Sequence, residues 1–374
     1  MRLVRSVIVY IEPTPYIVAL VDELRRNWDG SIEVYYIAVD VTQPWRLQLD
    51  NGQQRLLPRG LFASLRTLWR VLKRDRRQTI VHLAGWGNVV LLGALLIARS
   101  LAIPVAVESD MAVGRVDRSL LYWLKKLFYP FLFRLPSRFL PGGTPQVQYL
   151  ARFGAKLDRM TVAQMTVDVC AIRRFCAGPA ASVRCAARRR WGVTAAERVV
   201  LYVGRLEKDK GVHELLAAFA AAAATENSLR LVIVGDGTLR PRVEAVASSA
   251  DSRVSYLGRL SGNDVLRAYL SADLLVLPSL FEPWGLVVNE AMACGLPVIV
   301  SDRVGCARDL VRPAETGLIV SSGCVSELAS AICELTGDDA ARRHMGQAAE
   351  RLISHWTLQN EASNIISAWV EIAR

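Results

Sequence analysis

Short apolar runs recur along the chain, separated by longer segments in which apolar residues return every three or four positions. In the first half the runs VRSVIVYIE (4–12), EVYYIAV (33–39), TIVHLA (79–84), IPVAVES (103–109) and SRFLPGG (137–143) predict strands. In the second half RVVLYVG (198–204), LRLVIVGDG (229–237), RVSYLGRL (253–260), ADLLVLPS (272–279), GLPVIVSD (295–302) and TGLIV (316–320) do the same. Helix-length segments lie between most of them, and this alternation, played twice, predicts two parallel α/β units. The second-half runs carry almost no polar alternation, as strands covered on both faces require. Near the C-terminus Ile365, Ile366, Trp369 and Ile372 recur at helical spacing, which predicts an amphipathic helix packed on something.

A length of 374 residues suits two domains rather than one core. The join is placed close to Thr166, where Pro, Gly, Ala and a short basic cluster interrupt the pattern. The expected organisation is therefore 1–166, 167–350 and a closing helical segment 351–374 that returns to the first domain. Residues 83–98 are strongly apolar, but Arg99 and Pro104 stop the run short of a bilayer span. The apolar run from Ser6 to Ile11 is too short for a signal core, so no crossing of the membrane is expected. Seven cysteines, all between Cys170 and Cys333 and without a C-x-x-C, suggest neither a disulfide framework nor a zinc site, and fit a reducing cytoplasm.

Charge changes the picture only when it is split. Residues 1–165 hold 23 Lys and Arg against 12 Asp and Glu, so the whole net charge of +11 sits in the first half. A basic half suits nucleic acid, an anionic membrane or a phosphorylated substrate. No groove-reading helix or RNA motif appears, which disfavours nucleic acid. The segment 114–139 interleaves Leu121, Trp123, Leu124, Phe128, Phe131 and Phe133 with Arg115, Arg118, Lys125, Lys126, Arg134 and Arg138, and a second basic cluster lies earlier, at 70–78. A cationic, aromatic amphipathic stretch of this kind suits peripheral contact with an anionic membrane; an ordinary core face with solvated cations is the alternative.

Three motifs carry candidate chemistry. In FEPWGLVVNEAMACGLPVIVSD (281–302), Glu282 and Glu290 flank a turn at Pro283, Trp284 and Gly285 that opens a helix from Leu286 to Cys294, with Gly295 just past its end. Backbone N–H groups at Gly285 and Leu286 favour an anion there, while the two acids can bind hydroxyls beside it. In VLYVGRLEKDKGVHELLAAF (200–219), Gly204 ends a strand and Arg205 and Lys210 stand on the loop to the next helix, a plausible diphosphate clamp. In VIVGDGTLR (232–240), Gly235 lets backbone approach a ligand closely. Each alone also fits a solvated loop; their convergence at strand carboxyl ends within one domain points to a ligand site. His82 and the pair Glu108 and Asp110 lie at strand ends of the first half. There the acids could orient a hydroxyl or cap the next segment, and the histidine could be a site residue or a satisfied core residue.

Gly204-Arg205-Leu206 with Lys210-Gly211, then Gly235-Asp236-Gly237, then Glu282-x7-Glu290, resembles retaining glycosyltransferase family 4 of bacterial polysaccharide type. The likeness is strong over about 198–320; in the first half it rests on FLPGGTPQVQYLARFGA with Val167-Asp168 as the linker. It implies an α/β GT-B fold, two Rossmann-like parallel-sheet domains facing a central cleft, with an acceptor-binding first domain and a nucleotide-sugar-binding second one. It implies hexosyl transfer from a nucleotide diphosphate sugar, GDP- or UDP-hexose, to a hydroxyl of a lipid-linked or saccharide acceptor, with retention and no metal. In that scheme Arg205 and Lys210 grip the diphosphate, Glu290 binds the ribose, Glu282 contacts the sugar, and Gly204, Gly235, Gly285 and Leu286 line the donor with Gly258 to Leu260 beside the base. A histidine like His82 touches sugar or acceptor. The Gly-Gly loop usual after the first strand is replaced by YIEPTPYIVALVDEL, so Thr14 and Tyr16 face the acceptor instead. The protein is expected in the cytoplasm, peripheral at the inner membrane face. A nucleotide-sugar 2-epimerase of the same fold and a non-catalytic nucleotide-sugar-binding protein are the rival readings.

Overall fold

The computed structural model describes residues 5–39, 54–112, 120–178, 180–250 and 252–373. The chain forms two compact units, residues 1–165 with 358–374, and residues 166–357. Arg115 and Arg118 lie outside the described residues.

The first unit is built on strands β1 (Arg5–Tyr10), β2 (Ser31–Tyr36), β3 (Gln54–Leu56), β4 (Thr79–Leu83), β5 (Val105–Ser109) and β6 (Arg138–Pro141), all parallel, in the order β3-β2-β1-β4-β5-β6. The period of two sorts each strand's side chains between two cores. Val7, Val9, Val81, Leu83, Val105 and Val107 join one core with Leu91, Ala94, Leu95 and Phe139. Ile8, Tyr10, Ile80 and Ala106 join the other, which Leu20, Val21 and Leu24 of helix Pro15–Asn27 cover together with Ile365 and Trp369 of helix Leu358–Ala373. Trp369 is fully buried and meets Trp28 edge-on at 5.4 Å between ring centroids. The closing helix thus covers one face of this unit's core together with helix Pro15–Asn27, and Ile366 and Ile372 pack at its margin.

The second unit holds β7 (Arg198–Val203), β8 (Leu229–Val234), β9 (Val254–Tyr256), β10 (Leu274–Leu277), β11 (Val298–Ser301) and β12 (Gly317–Val320), again all parallel, in the order β12-β11-β10-β7-β8-β9. Numbered from its own first strand, this is the same 3-2-1-4-5-6 order as the first sheet. Each sheet therefore reverses its winding once, between β1 and β4 in one unit and between β7 and β10 in the other, and ligands of open α/β sheets bind outside the strand carboxyl ends at such points. Eleven of the strands fall on the runs that hydrophobic patterning predicts. The exception is β3, three residues at a sheet edge, where Gln54, Arg55 and Leu56 offer no apolar run.

Two residues of the amphipathic segment 114–139 have other roles. Phe133 is buried in the first core beside Trp86 and Phe139. Arg138 is an inward residue of β6 that pairs with Glu371 of the closing helix and donates to the Asp158 carbonyl at 3.1 Å.

Candidate active site

In the second unit, loops after β7, β8 and β9 are joined through their backbones. The Gly204 N–H donates to the Val234 carbonyl at 3.0 Å, Leu206 N–H to Asp236 O at 2.9 Å, and Gly235 N–H to Gly258 O at 2.9 Å. Gly235 has φ +146°, and a Cβ there would stand 1.8 Å from the Gly204 carbonyl oxygen, so no other residue lets these loops meet. Glu207 adds a side-chain staple, accepting from Thr238 N at 3.1 Å and from its hydroxyl at 2.6 Å. The resulting platform is lined by Gly204, Gly235 and Gly258, with Leu260 partly buried four residues past β9.

Lys210 is 6% exposed, in a short 3-10 turn (Lys208–Lys210) held under the β10 loop. The Asp209 carbonyl accepts N–H bonds from Leu280 and Phe281, and Gly211, at φ +70°, packs so closely that a Cβ would lie 2.2 Å from the Pro278 carbonyl oxygen. The Lys210 ammonium reaches Glu282 Oε2 at 3.1 Å, Asp209 Oδ2 at 3.3 Å and the Phe281 carbonyl at 3.3 Å. A buried cation needs such partners, because leaving it unpaired costs about 3–5 kcal/mol. Arg205 differs. Its carbonyl accepts from the Tyr202 hydroxyl at 2.8 Å, while its exposed guanidinium has no ion-pair partner among the described residues. One site thus carries a fixed cation and a second cation free to take a ligand.

Gly285, at φ +99°, opens helix Leu286–Ala293 with no side-chain cap; the Val288 N–H turns back to the Gly285 carbonyl at 2.9 Å, and no side chain among the described residues covers the N–H groups ahead of it, the kind of helix start that suits an anion. Behind it, buried Trp284 donates to Asn289 Oδ1 at 3.2 Å, Asn289 donates to the Thr166 hydroxyl at 3.2 Å, and Thr166 donates to the Trp356 carbonyl at 2.8 Å. Trp284 stacks on Trp356 with centroids 6.0 Å apart. On the same helix Glu290 accepts from the Tyr269 hydroxyl at 2.7 Å on Oε2. Burial pushes the Glu290 carboxyl above the usual range and the Tyr269 hydrogen bond pulls it only part of the way back. Sequence reading named Glu282, Glu290, Arg205 and Lys210 but missed Tyr269, which bonds Glu290, Asp209, which pairs with Lys210, and Glu207, which staples the loops after β7 and β8. Tyr269 lies on helix Asn263–Ser271, where periodicity marks it only as an inward residue.

In the first unit the carboxyl ends of β1, β4 and β5 bring together Tyr10, His82 and Glu108. The Tyr10 hydroxyl donates to Glu108 Oε1 at 2.8 Å, and His82 Nε2 lies 2.8 Å from that same oxygen. Trp369 Nε1 donates to His82 Nδ1 at 3.2 Å. An indole N–H only donates, so Nδ1 must be the acceptor and Nε2 carries the proton given to Glu108. His82 is 0% exposed and both ring nitrogens are engaged, so the expectation that it touches sugar or acceptor is corrected: in this structure it positions Glu108. Glu108 Oε1 takes both bonds and the carboxylate remains partly exposed. Asp110 is raised by burial, with Glu108 adding to the effect. Thr14 caps helix Pro15–Asn27 by accepting from Ile17 N at 3.4 Å, and burial raises the Tyr16 hydroxyl to about 12 against a Thr14 hydrogen bond. At the unit boundary Asp168 caps helix Val169–Cys176, accepting from Ala171 N at 2.8 Å.

Two sheets of this order with these loops define the GT-B architecture, and the solved structures agree. The Anabaena protein HepE in complex with UDP matches with a TM-score of 0.80 over 99% of this chain and 100% of that chain, at 17% identity, which speaks for the fold alone. The family described as glycosyl transferases group 1 matches residues 184–352. A GDP-mannose-dependent alpha-mannosyltransferase of Mycolicibacterium smegmatis is 31% identical over 361 residues, covering 91% of this chain and 88% of that protein. An uncharacterised glycosyltransferase of Methanocaldococcus jannaschii is 38% identical over 135 residues, and there the match covers 36% of this chain and 34% of the relative. The chain belongs to the group 1 glycosyltransferases.

Proposed function

We propose that this protein transfers a hexosyl group from a GDP- or UDP-hexose to a hydroxyl of a saccharide or lipid-linked acceptor, with retention of configuration and without a metal ion. The observation that carries the reading is the set Arg205, Lys210 and the uncapped helix at Gly285, gathered at the winding reversal of the second sheet. Diphosphate charge grows as the glycosidic bond breaks, and fixed cations with N–H dipoles stabilise that growing charge in place of a metal. Lys210 is held by Glu282 and Asp209 before any ligand arrives, so little reorganisation accompanies the reaction. Glu290, oriented by Tyr269, is suited to the ribose diol, and Glu282 to hydroxyls of the transferred sugar. Glu108, aimed by Tyr10 and His82, is suited to orient the acceptor hydroxyl. With no nucleophile assigned to the sugar's opposite face, retention follows from attack on the leaving-group side, the departing phosphate accepting the acceptor's proton. The mannosyltransferase relative and the UDP complex of HepE support a nucleotide-sugar donor and leave its base open.

The same reading places the protein at an anionic membrane surface in the cytoplasm. Helix Leu120–Leu132 turns Tyr122, Tyr129 and Leu132 toward the first core, yet Leu120, Trp123, Leu124, Leu127, Phe128 and Phe131 form a second apolar stripe that is exposed. Lys126 lies over the Trp123 ring at 5.5 Å and Arg134 over Phe131 at 5.3 Å, so cations border the stripe. Exposed apolar surface edged by cations fits the boundary of an anionic bilayer. No helix among the described residues is long and apolar enough to cross one.

A thermal-shift panel with UDP, GDP and their hexose conjugates, run without metal, tests the donor site, because a ligand of the native state raises Tm. A rise with one nucleotide supports the site and names its base; no rise with any of them overturns it. Nucleotide release only when an acceptor is added then separates transfer from epimerisation. Co-sedimentation with vesicles containing phosphatidylglycerol, and none with pure phosphatidylcholine, tests the membrane reading; binding to neither overturns it.

A further inference from the structure

Among seven cysteines read as structurally unconnected, two have sulfurs in contact. Cys176 ends helix Val169–Cys176, and Cys294 closes helix Leu286–Ala293; their Sγ atoms are 3.4 Å apart. Both side chains are partly exposed, so a small oxidant reaches them, whereas Cys306 is buried. A disulfide needs a sulfur separation of about 2.05 Å, so the two sulfurs have to close by about 1.4 Å.

We propose that Cys176 and Cys294 are a reversible oxidative modification site, closed to a disulfide by a peroxide and reopened by thiols. The first proton leaves Cys176 more easily than from an isolated thiol, because the Cys294 S–H hydrogen-bonds the thiolate left behind. That thiolate attacks the peroxide, breaking the O–O bond to give a sulfenic acid and one water. The Cys294 sulfur then displaces the sulfenic oxygen as a second water. In sum two thiols and one hydrogen peroxide give one disulfide and two waters; two equivalents of thiol reverse it.

The bond staples the donor helix. The Cys294 N–H donates to the Glu290 carbonyl at 3.1 Å, so the turn that carries Glu290 ends at the bridged residue. Cross-linking residues so far apart in sequence also removes freedom from the unfolded chain, which raises stability. That this helix serves a nucleotide rests on the proposed donor site; that the sulfurs join does not.

The test is peptide mapping of the full chain under non-reducing conditions after titration with hydrogen peroxide, alongside Cys176→Ser and Cys294→Ser. Expected is one cross-linked peptide pair joining the two positions, absent from both variants, with a Tm rise of several degrees that dithiothreitol abolishes. Both thiols still reduced while exposed Cys170 and Cys185 are oxidised would overturn the site, as would a different pairing. A cross-link without a Tm rise would overturn the stapling. Neither result depends on any nucleotide, so failure here is separable from failure of the donor reading.

Discussion

The two units share one strand order and fill it with opposite chemistry. At the winding reversal of the second sheet stand glycines, an uncapped helix and two cations. At that of the first stand a tyrosine, a buried histidine and the carboxylates Glu108 and Asp110. Net charge runs the other way, since the first half holds the whole excess of +11. The basic excess of the first half includes surface helices such as Leu61–Lys73, where Lys73 lies over the exposed Trp69 ring at 4.8 Å, and not the carboxyl ends of β1, β4 and β5. Topology fixes where a ligand binds; a few loop residues decide its sign. The charge of a domain is therefore a poor guide to the charge of its site.

The largest effect should come from the fixed cation. Lys210→Ala leaves Glu282 and Asp209 facing each other without their ammonium and removes charge stabilisation from the leaving group. Turnover should fall by about 10²–10³, the loss typical of removing one such donor, and the nucleotide-induced Tm rise should disappear. Full activity in this variant, measured as nucleotide release in the presence of acceptor, would erase the difference between the units.

Next, Trp369→Ala should destabilise the first unit by about 3–5 kcal/mol, as loss of a fully buried tryptophan does. It should leave the nucleotide-dependent stabilisation of the second unit in place, read as a separate calorimetric transition. One cooperative transition that moves as a whole would mean that the two units melt together. A smaller effect is expected for Glu108→Gln, which keeps the shape and removes the acceptor-orienting charge. The Michaelis constant or kcat for the acceptor should worsen roughly tenfold, about 1.4 kcal/mol, with donor binding unchanged; weaker donor binding would move Glu108 out of its proposed role.

How far these differences were legible follows from their range along the chain. Eleven strands could be read because a buried parallel strand is a continuous apolar run, a local signal. Glycines 204 and 235 could be read because each follows such a run, and Gly285 because it ends a Pro-Trp turn just before an apolar helix. The roles of Tyr269, Asp209 and Trp369 could not, because each acts on a partner from another element: Tyr269 on Glu290, Asp209 on Lys210, and Trp369 on His82 across 287 positions. The histidine shows the limit most plainly. Its position in β4 gave both a site reading and a core reading, and only the indole on the closing helix, by occupying Nδ1, decides between them.

Tyr269→Phe should give the smallest effect and the sharpest test of how the second unit tunes a carboxylate. Burial raises Glu290, and the Tyr269 hydroxyl is the group that lowers it again. Without that hydroxyl the carboxyl keeps its burial and protonates at a higher pH. A diol is best held by the ionised form, so nucleotide affinity in both proteins should fall as pH drops through the Glu290 transition, and the fall should begin at higher pH in the variant. Well above both transitions the two carboxylates are ionised and affinities should differ little; well below both they are protonated and should again differ little. The gap opens only between, where the variant binds more weakly by a factor set by a hydrogen bond to a charged group, about 1.5–3 kcal/mol at most. Isothermal titration with the preferred nucleotide across this range checks it. A uniform loss of affinity at every pH would mean that Tyr269 acts by packing, and superimposed profiles would mean that Glu290 does not bind the ribose.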